Sequence, residues 1–202
     1  MNQFERAFIF MIIALHIGMF IKVGYESQKW MQVEFIFAYF VCILVFIQFL
    51  IRYLAITHLY KTETSISSWT VSLLIVITSL VLIQSTLNFP LWFLFYGVLL
   101  LLASLKTRQA IAQVMSASEV NTERGVRLQE FMILESGFGV FMILFYIFPK
   151  IESMLFPQLT LENTIFFGTL FAAYYSLFST IIMIMRMFKN KEMIEKHMEN
   201  LT

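Results

Sequence analysis

Aspartate is absent from this 202-residue chain, cysteine occurs once, and charged residues make up only 13% of it. Without aspartate there can be no paired-aspartate intramembrane protease. The single Cys42 excludes an internal disulfide, a thiol redox pair and a cysteine-rich metal site, and is expected as a small side chain facing lipid or core. Soluble domains carry about 25% charged residues, so the scarcity of charge argues against a soluble fold. The 14 Lys and Arg are spread along the chain and nearly matched by 13 Glu, for a net charge of +1, which leaves no basic stripe for nucleic acid. Glycine-rich phosphate loops and HExxH zinc motifs are missing as well. The three histidines, His16, His58 and His197, lie too far apart in depth for a bis-histidine haem or a metal cluster. No cofactor is expected.

Apolar residues dominate what remains. They make up 59% of the chain, with 23 Phe and 13 Met, more than a domain of this size could bury in its own interior. Lipid can replace the missing interior, and the fold class expected is all-α: a polytopic membrane protein with a bundle of six transmembrane helices. Each apolar run approaches the ~20 residues that a membrane helix needs. The helices are expected over 5–25, 33–58, 69–88, 89–108, 130–148 and 164–187, with a cytoplasmic loop at 106–130 and a cytoplasmic tail at 188–202. The first run lacks a small-x-small cleavage site and is read as a retained span. The runs are continuous rather than alternating with period two, which disfavours a β-barrel. Asn88, Phe89 and Pro90 mark a tight hairpin between the third and fourth helices, because proline is tolerated at a helix start.

The distribution of positive charge orients the bundle. With the N-terminus inside, eleven of the 14 Lys and Arg fall on the inner side, and only Lys22, Lys29 and Lys150 fall outside. Both termini are therefore expected in the cytoplasm. Trp30 and Trp92 at outer helix ends and Trp69 at an inner end agree with an aromatic belt.

The inner loop has apolar residues at Ile111, Val114, Met115 and Val120, a spacing compatible with an extension of the fourth helix that breaks near Gly125. The outer stretch around Met154, Leu155 and Phe156 is expected to lie along the interface. Glu192 and Lys196 are one turn apart in the tail, as in a short solvated helix.

Ionisable groups within apolar helices are costly, roughly 2.5–3.5 kcal/mol on insertion scales, and normally face a partner in the bundle. The run "FMILESGFGVF" places Glu135 roughly 6–8 Å past the inner end of the fifth helix at ~1.5 Å per residue. Arg52 falls about 5 Å from the same edge of a ~30 Å core. Matching depths suggest an ion pair between the second and fifth helices, with Gln48 one turn from Arg52 completing its hydrogen bonding. Gly139 shares the face of Glu135 and leaves room for a neighbouring helix, expected to be the second. His16 lies near the midplane, where a bond to a serine or a carbonyl of another helix is expected. Glu135, Arg52, Gln48 and His16 are the candidate intramembrane polar site. Gly168, Ala172, Ser176 and Thr180, each four apart on the sixth helix, form a small-residue ladder of the kind that packs membrane helices, and Gly139 belongs with them. Ser72, Ser79 and Thr86 form a second polar stripe on the third. Ser136 beside Gly137 is no nucleophile, because no histidine follows in the sixth helix to serve as its base.

These features point to a multi-pass membrane protein without a recognisable catalytic motif. The expected role is non-enzymatic: sensing, regulation or assembly through the cytoplasmic loop and tail. The alternative is a small transporter, channel or transporter subunit for a largely apolar solute, in line with halves of opposite orientation. The expected partners are the lipid bilayer and a further protein or a second copy of the chain. The expected location is the plasma membrane.

Overall fold

The computed structural model describes residues 3–27, 32–54, 66–115, 122–155 and 161–199. Within them the chain forms six helices: α1 (Gln3–Glu26), α2 (Val33–Leu54), α3 (Ile66–Ser85), α4 (Phe89–Met115), α5 (Thr122–Leu155) and α6 (Leu161–Glu199). Four contain stretches long and apolar enough to cross a membrane, namely Ile9–Glu26, Val33–Ile51, Phe89–Gln109 and Glu162–Met185. The apolar stretches of α3 and α5, Trp69–Ser85 and Met132–Ile147, are shorter.

The helices bury polar residues beside an apolar core and expose many large apolar side chains, unlike a water-soluble bundle. On α6, Gly168, Thr169, Ala172, Ser176 and Thr180 are buried while Phe167, Phe171, Tyr174 and Phe178 are exposed. On α2, Phe35, Ala38, Val41, Cys42 and Val45 turn inward, with Ile36, Phe40, Ile43 and Ile47 outward. Soluble monomers rarely expose contiguous apolar patches beyond a few hundred Å², whereas small residues at helix contacts and large apolar ones outside are how helices pack in lipid.

The helix α4 lies at the centre. It packs lengthwise on α3 and α5, α2 packs lengthwise on α6, and α1 leans on α3. Trp92, Phe93 and Tyr96 of α4 are buried together with Phe35 of α2 and Met142 of α5. Trp92 stacks on Tyr96 with ring centroids 5.2 Å apart. Trp92 is near the start of α4, as expected, and faces the interior; Trp30 lies outside the described residues.

A three-residue turn joins α3 to α4. Ser85 Oγ and Thr86 Oγ1 donate to Leu82 O and Ile83 O, each at 2.8 Å, and so satisfy carbonyls of the last turn of α3. Asn88 O accepts from Trp92 N at 3.0 Å, opening α4 with Pro90 in its first turn, where no N–H is needed.

The elements differ from the expected bounds at their polar ends. Helix α4 continues to Met115, and α5 begins at Thr122 and runs through Gly125 without a break. One glycine weakens a helix by only about 1 kcal/mol relative to alanine, too little to stop one of 34 residues. The tail is one continuous helix with α6 as far as Glu199. The end expected for the second helix, 55–58, and the apolar Phe156 lie outside the described residues.

Candidate intramembrane polar site

The polar side chains of the apolar helices gather at three places. The first joins α1 to α3. His16 is 1% exposed, and its Nδ1 lies 2.8 Å from Ile12 O. A carbonyl only accepts, so Nδ1 carries the proton and Nε2 accepts from Ser79 Oγ at 2.7 Å. That hydroxyl also lies 2.8 Å from Val76 O. Phe46 of α2 stacks on the imidazole at 4.5 Å between centroids. One turn further, Tyr39 Oη donates to Phe20 O at 3.0 Å and ties α2 to α1.

The second place joins α2, α4 and α6. Gln48 Nε2 donates to Ser176 O and to Thr180 Oγ1, each at 2.9 Å, and Thr180 Oγ1 donates to Ser176 O at 2.7 Å. Ser176 Oγ is 2.6 Å from Tyr96 Oη. All four residues are buried. The ladder residues Gly168 and Ala172 lie on the same inward face of α6, and a Cβ at Gly168 would sit 2.7 Å from the ring of Phe93.

The third place joins α4 to α5. Thr107 Oγ1 donates to Glu135 Oε2 at 3.4 Å and to Ala103 O at 3.0 Å. Ser104 Oγ and Ser136 Oγ are 2.6 Å apart, and Ser136 Oγ donates to Met132 O at 2.8 Å. Glu135 is fully buried. Beyond it, Gly97 and Gly139 bring the two backbones together, with a Cβ at Gly139 only 3.0 Å from Gly97 O. The helix that closes on Gly139 is thus α4, not the second helix expected. Gly97 carries the counterpart of that close approach and decides the neighbour.

The hydrogen bonds described above for His16, Gln48 and Glu135 fall at three different helix contacts. Arg52 belongs to α2, but its side chain lies outside the described residues. Sequence reasoning missed Tyr96 and Thr107, whose partners lie on other helices. Tyr96 reads as one more aromatic in an apolar run, and Thr107 as the start of a loop. Ser79 stood out as part of a stripe, and only the fold pairs it with His16.

The hydrogen bonds among the described residues fasten helix to helix. Ser79 and His16 have the spacing of a nucleophile and its base, but Ser79 is 6% exposed and lies between packed helices. Among the described residues no three His, Cys or Glu side chains converge as metal ligands. Ser179 Oγ is buried without a hydrogen-bond partner among the described residues. No known protein family, curated protein or solved structure matches the chain.

Proposed function

We propose that the chain is a six-span integral membrane protein of the plasma membrane, with both termini in the cytoplasm, that acts without catalysis. It senses, regulates or assembles with another component through its cytoplasmic loop and tail. The supporting observation is the continuation of α4, α5 and α6 past their apolar stretches. Under the orientation drawn from the Lys and Arg distribution, 110–115 of α4, 122–131 of α5 and 186–199 of α6 project on the cytoplasmic side, and 148–155 of α5 on the outer side. The 14 residues 186–199 of α6 extend roughly 21 Å past the apolar stretch at ~1.5 Å per residue. Helices that carry charge out of a bilayer present a surface to a partner.

The transporter reading is less well supported. Trp92, Phe93, Tyr96, Phe35 and Met142 occupy the interior between α2, α4, α5 and α6, where a solute path between inverted halves would run.

Two measurements test this reading. In a Cys42→Ala background, single cysteines introduced at 2, 118 and 190 are expected to react with a membrane-impermeant maleimide only after the cells are opened, and those at 30, 88 and 158 in intact cells. Any exchange between the two groups rejects the orientation. Deleting 188–202 is expected to leave insertion and thermal stability unchanged while abolishing a stoichiometric complex purified from native membranes. Solute uptake by proteoliposomes of the purified chain, with no such complex, would establish transport instead.

The pairing of Glu135 with Arg52 is part of the same proposal, as a structural fastening. Glu135→Gln and Arg52→Gln are each expected to lower stability by on the order of 1 kcal/mol, and the double exchange to recover most of the loss. Strictly additive losses in the double-mutant cycle would exclude the pair.

A further inference from the structure

The outward face of α6 has a regular pattern. Phe167, Phe171, Tyr174, Phe178, Ile181 and Met185 are each at least 47% exposed and follow one another at alternating steps of four and three. That is the 3.5-residue period by which two helices pack side by side with a left-handed crossing. An apolar face of this kind is satisfied by lipid alone, except at one point. Tyr174 is 71% exposed, the most open residue of the six. It lies 12 residues past Glu162 and 11 before Met185, the ends of the apolar stretch, and so about 17 Å from either end at ~1.5 Å per residue. Its ring lies parallel to that of Phe178 at 6.5 Å, and among the described residues its hydroxyl makes no hydrogen bond. A hydroxyl in hydrocarbon without a partner is strongly disfavoured, and at this depth neither headgroups nor water are within reach.

We infer that this face is where two copies of the chain associate, with the Tyr174 hydroxyls of both copies hydrogen-bonded to each other at the centre. The inference rests on the reading that α6 crosses the bilayer. Every copy is inserted with the same orientation, so a two-fold axis along the membrane normal brings residues of equal depth together. A C2 interface requires a surface complementary to itself. A phenol meets that requirement because it can donate and accept at once. The aromatic side chains on either side supply the packing, and the inward ladder of α6 stays committed to α2 and α4.

The test keeps Tyr174 and uses Phe171→Cys and Phe178→Cys, each in the Cys42→Ala background, with Leu134→Cys and Val140→Cys on the exposed face of α5 as references. Oxidative cross-linking in native membranes is expected to give a disulfide-linked species of twice the chain's mass at 171 and 178 and far less at 134 and 140. Adding Tyr174→Phe, which removes only the hydroxyl, is expected to weaken dimerisation roughly three- to tenfold in a liposome dilution assay, as a single interhelical bond would. Equal cross-linking at all four positions, a product of a different mass, no product, or a Tyr174→Phe dimer of unchanged affinity each overturns the proposal. Reaction of the same cysteines with an impermeant maleimide separates the two readings. Protected cysteines that do not cross-link reject the dimer alone. Cysteines that are readily alkylated show that α6 is not in the bilayer, and then the functional reading fails with it.

Discussion

Replacing Gly97 by valine is expected to destabilise the protein by about 3 kcal/mol or more, at the upper end of what overpacking produces. A Cβ at this position would lie 2.6 Å from Gly139 O and 2.6 Å from Ile143 Cγ1, with Ile143 N at 3.1 Å. The carbonyl and the amide belong to the backbone of α5 and cannot rotate away, so α4 and α5 would have to separate along their whole contact. That contact holds Glu135, Ser104 and Ser136 in place. Gly168 offers a graded comparison: its obstacles are the rings of Phe93 and Phe145, at 2.7 to 2.9 Å, and rings can shift. Gly168→Ala should therefore cost less than Gly97→Ala. Gly18 and Gly137 meet nothing within 4 Å, and alanine there should add about 0.5–1 kcal/mol through helix propensity. Reversible unfolding of the four alanine variants, and of Gly97→Val beside Gly137→Val, in mixed micelles measures the order. If Gly97→Val proves as stable as Gly137→Val, the close approach of α4 and α5 is not a feature of the protein.

The second large effect is expected at His16. Helix α1 is the least buried of the four span-length helices, and its attachment depends on a few contacts. His16→Ala removes the bond to Ser79, the stacking on Phe46 and a buried ring together, an expected loss of about 2–4 kcal/mol. His16→Phe keeps the ring and loses only the polar contacts. Because Ser79 can still donate to Val76 O, this variant leaves no orphaned hydroxyl, and its loss should be near 1 kcal/mol. The two can be read by the yield of a disulfide between cysteines at 20 and 39, where Phe20 and Tyr39 now meet at 5.4 Å between ring centroids. His16→Ala should lower that yield sharply and His16→Phe only slightly. An unchanged yield in His16→Ala would mean that α1 is held by its apolar face alone.

The amino-acid sequence determined the composition of the problem. Continuous apolar runs, the scarcity of charge and the helix-compatible spacing of small residues specify helices that expose apolar surface, because those properties belong to each segment on its own. The α3–α4 hairpin was equally legible, since Asn88 and Pro90 act on their own backbone. Helix ends at the polar margins were not, because a single glycine weighs about 1 kcal/mol against many helical rungs in α5. Which polar groups meet was decided only by the tertiary structure. Depth along a helix can be counted from the sequence, but its rotation and its neighbour cannot. Gln48 and Ser176 are 128 residues apart, and His16 and Ser79 are 63 apart. Glu135 shows the difference most clearly. Its place within an apolar helix was readable, while the helix beside it followed from two glycines, Gly97 and Gly139, that let two backbones touch. Close packing depends on the shapes of both surfaces at once, and a sequence displays only one surface at a time.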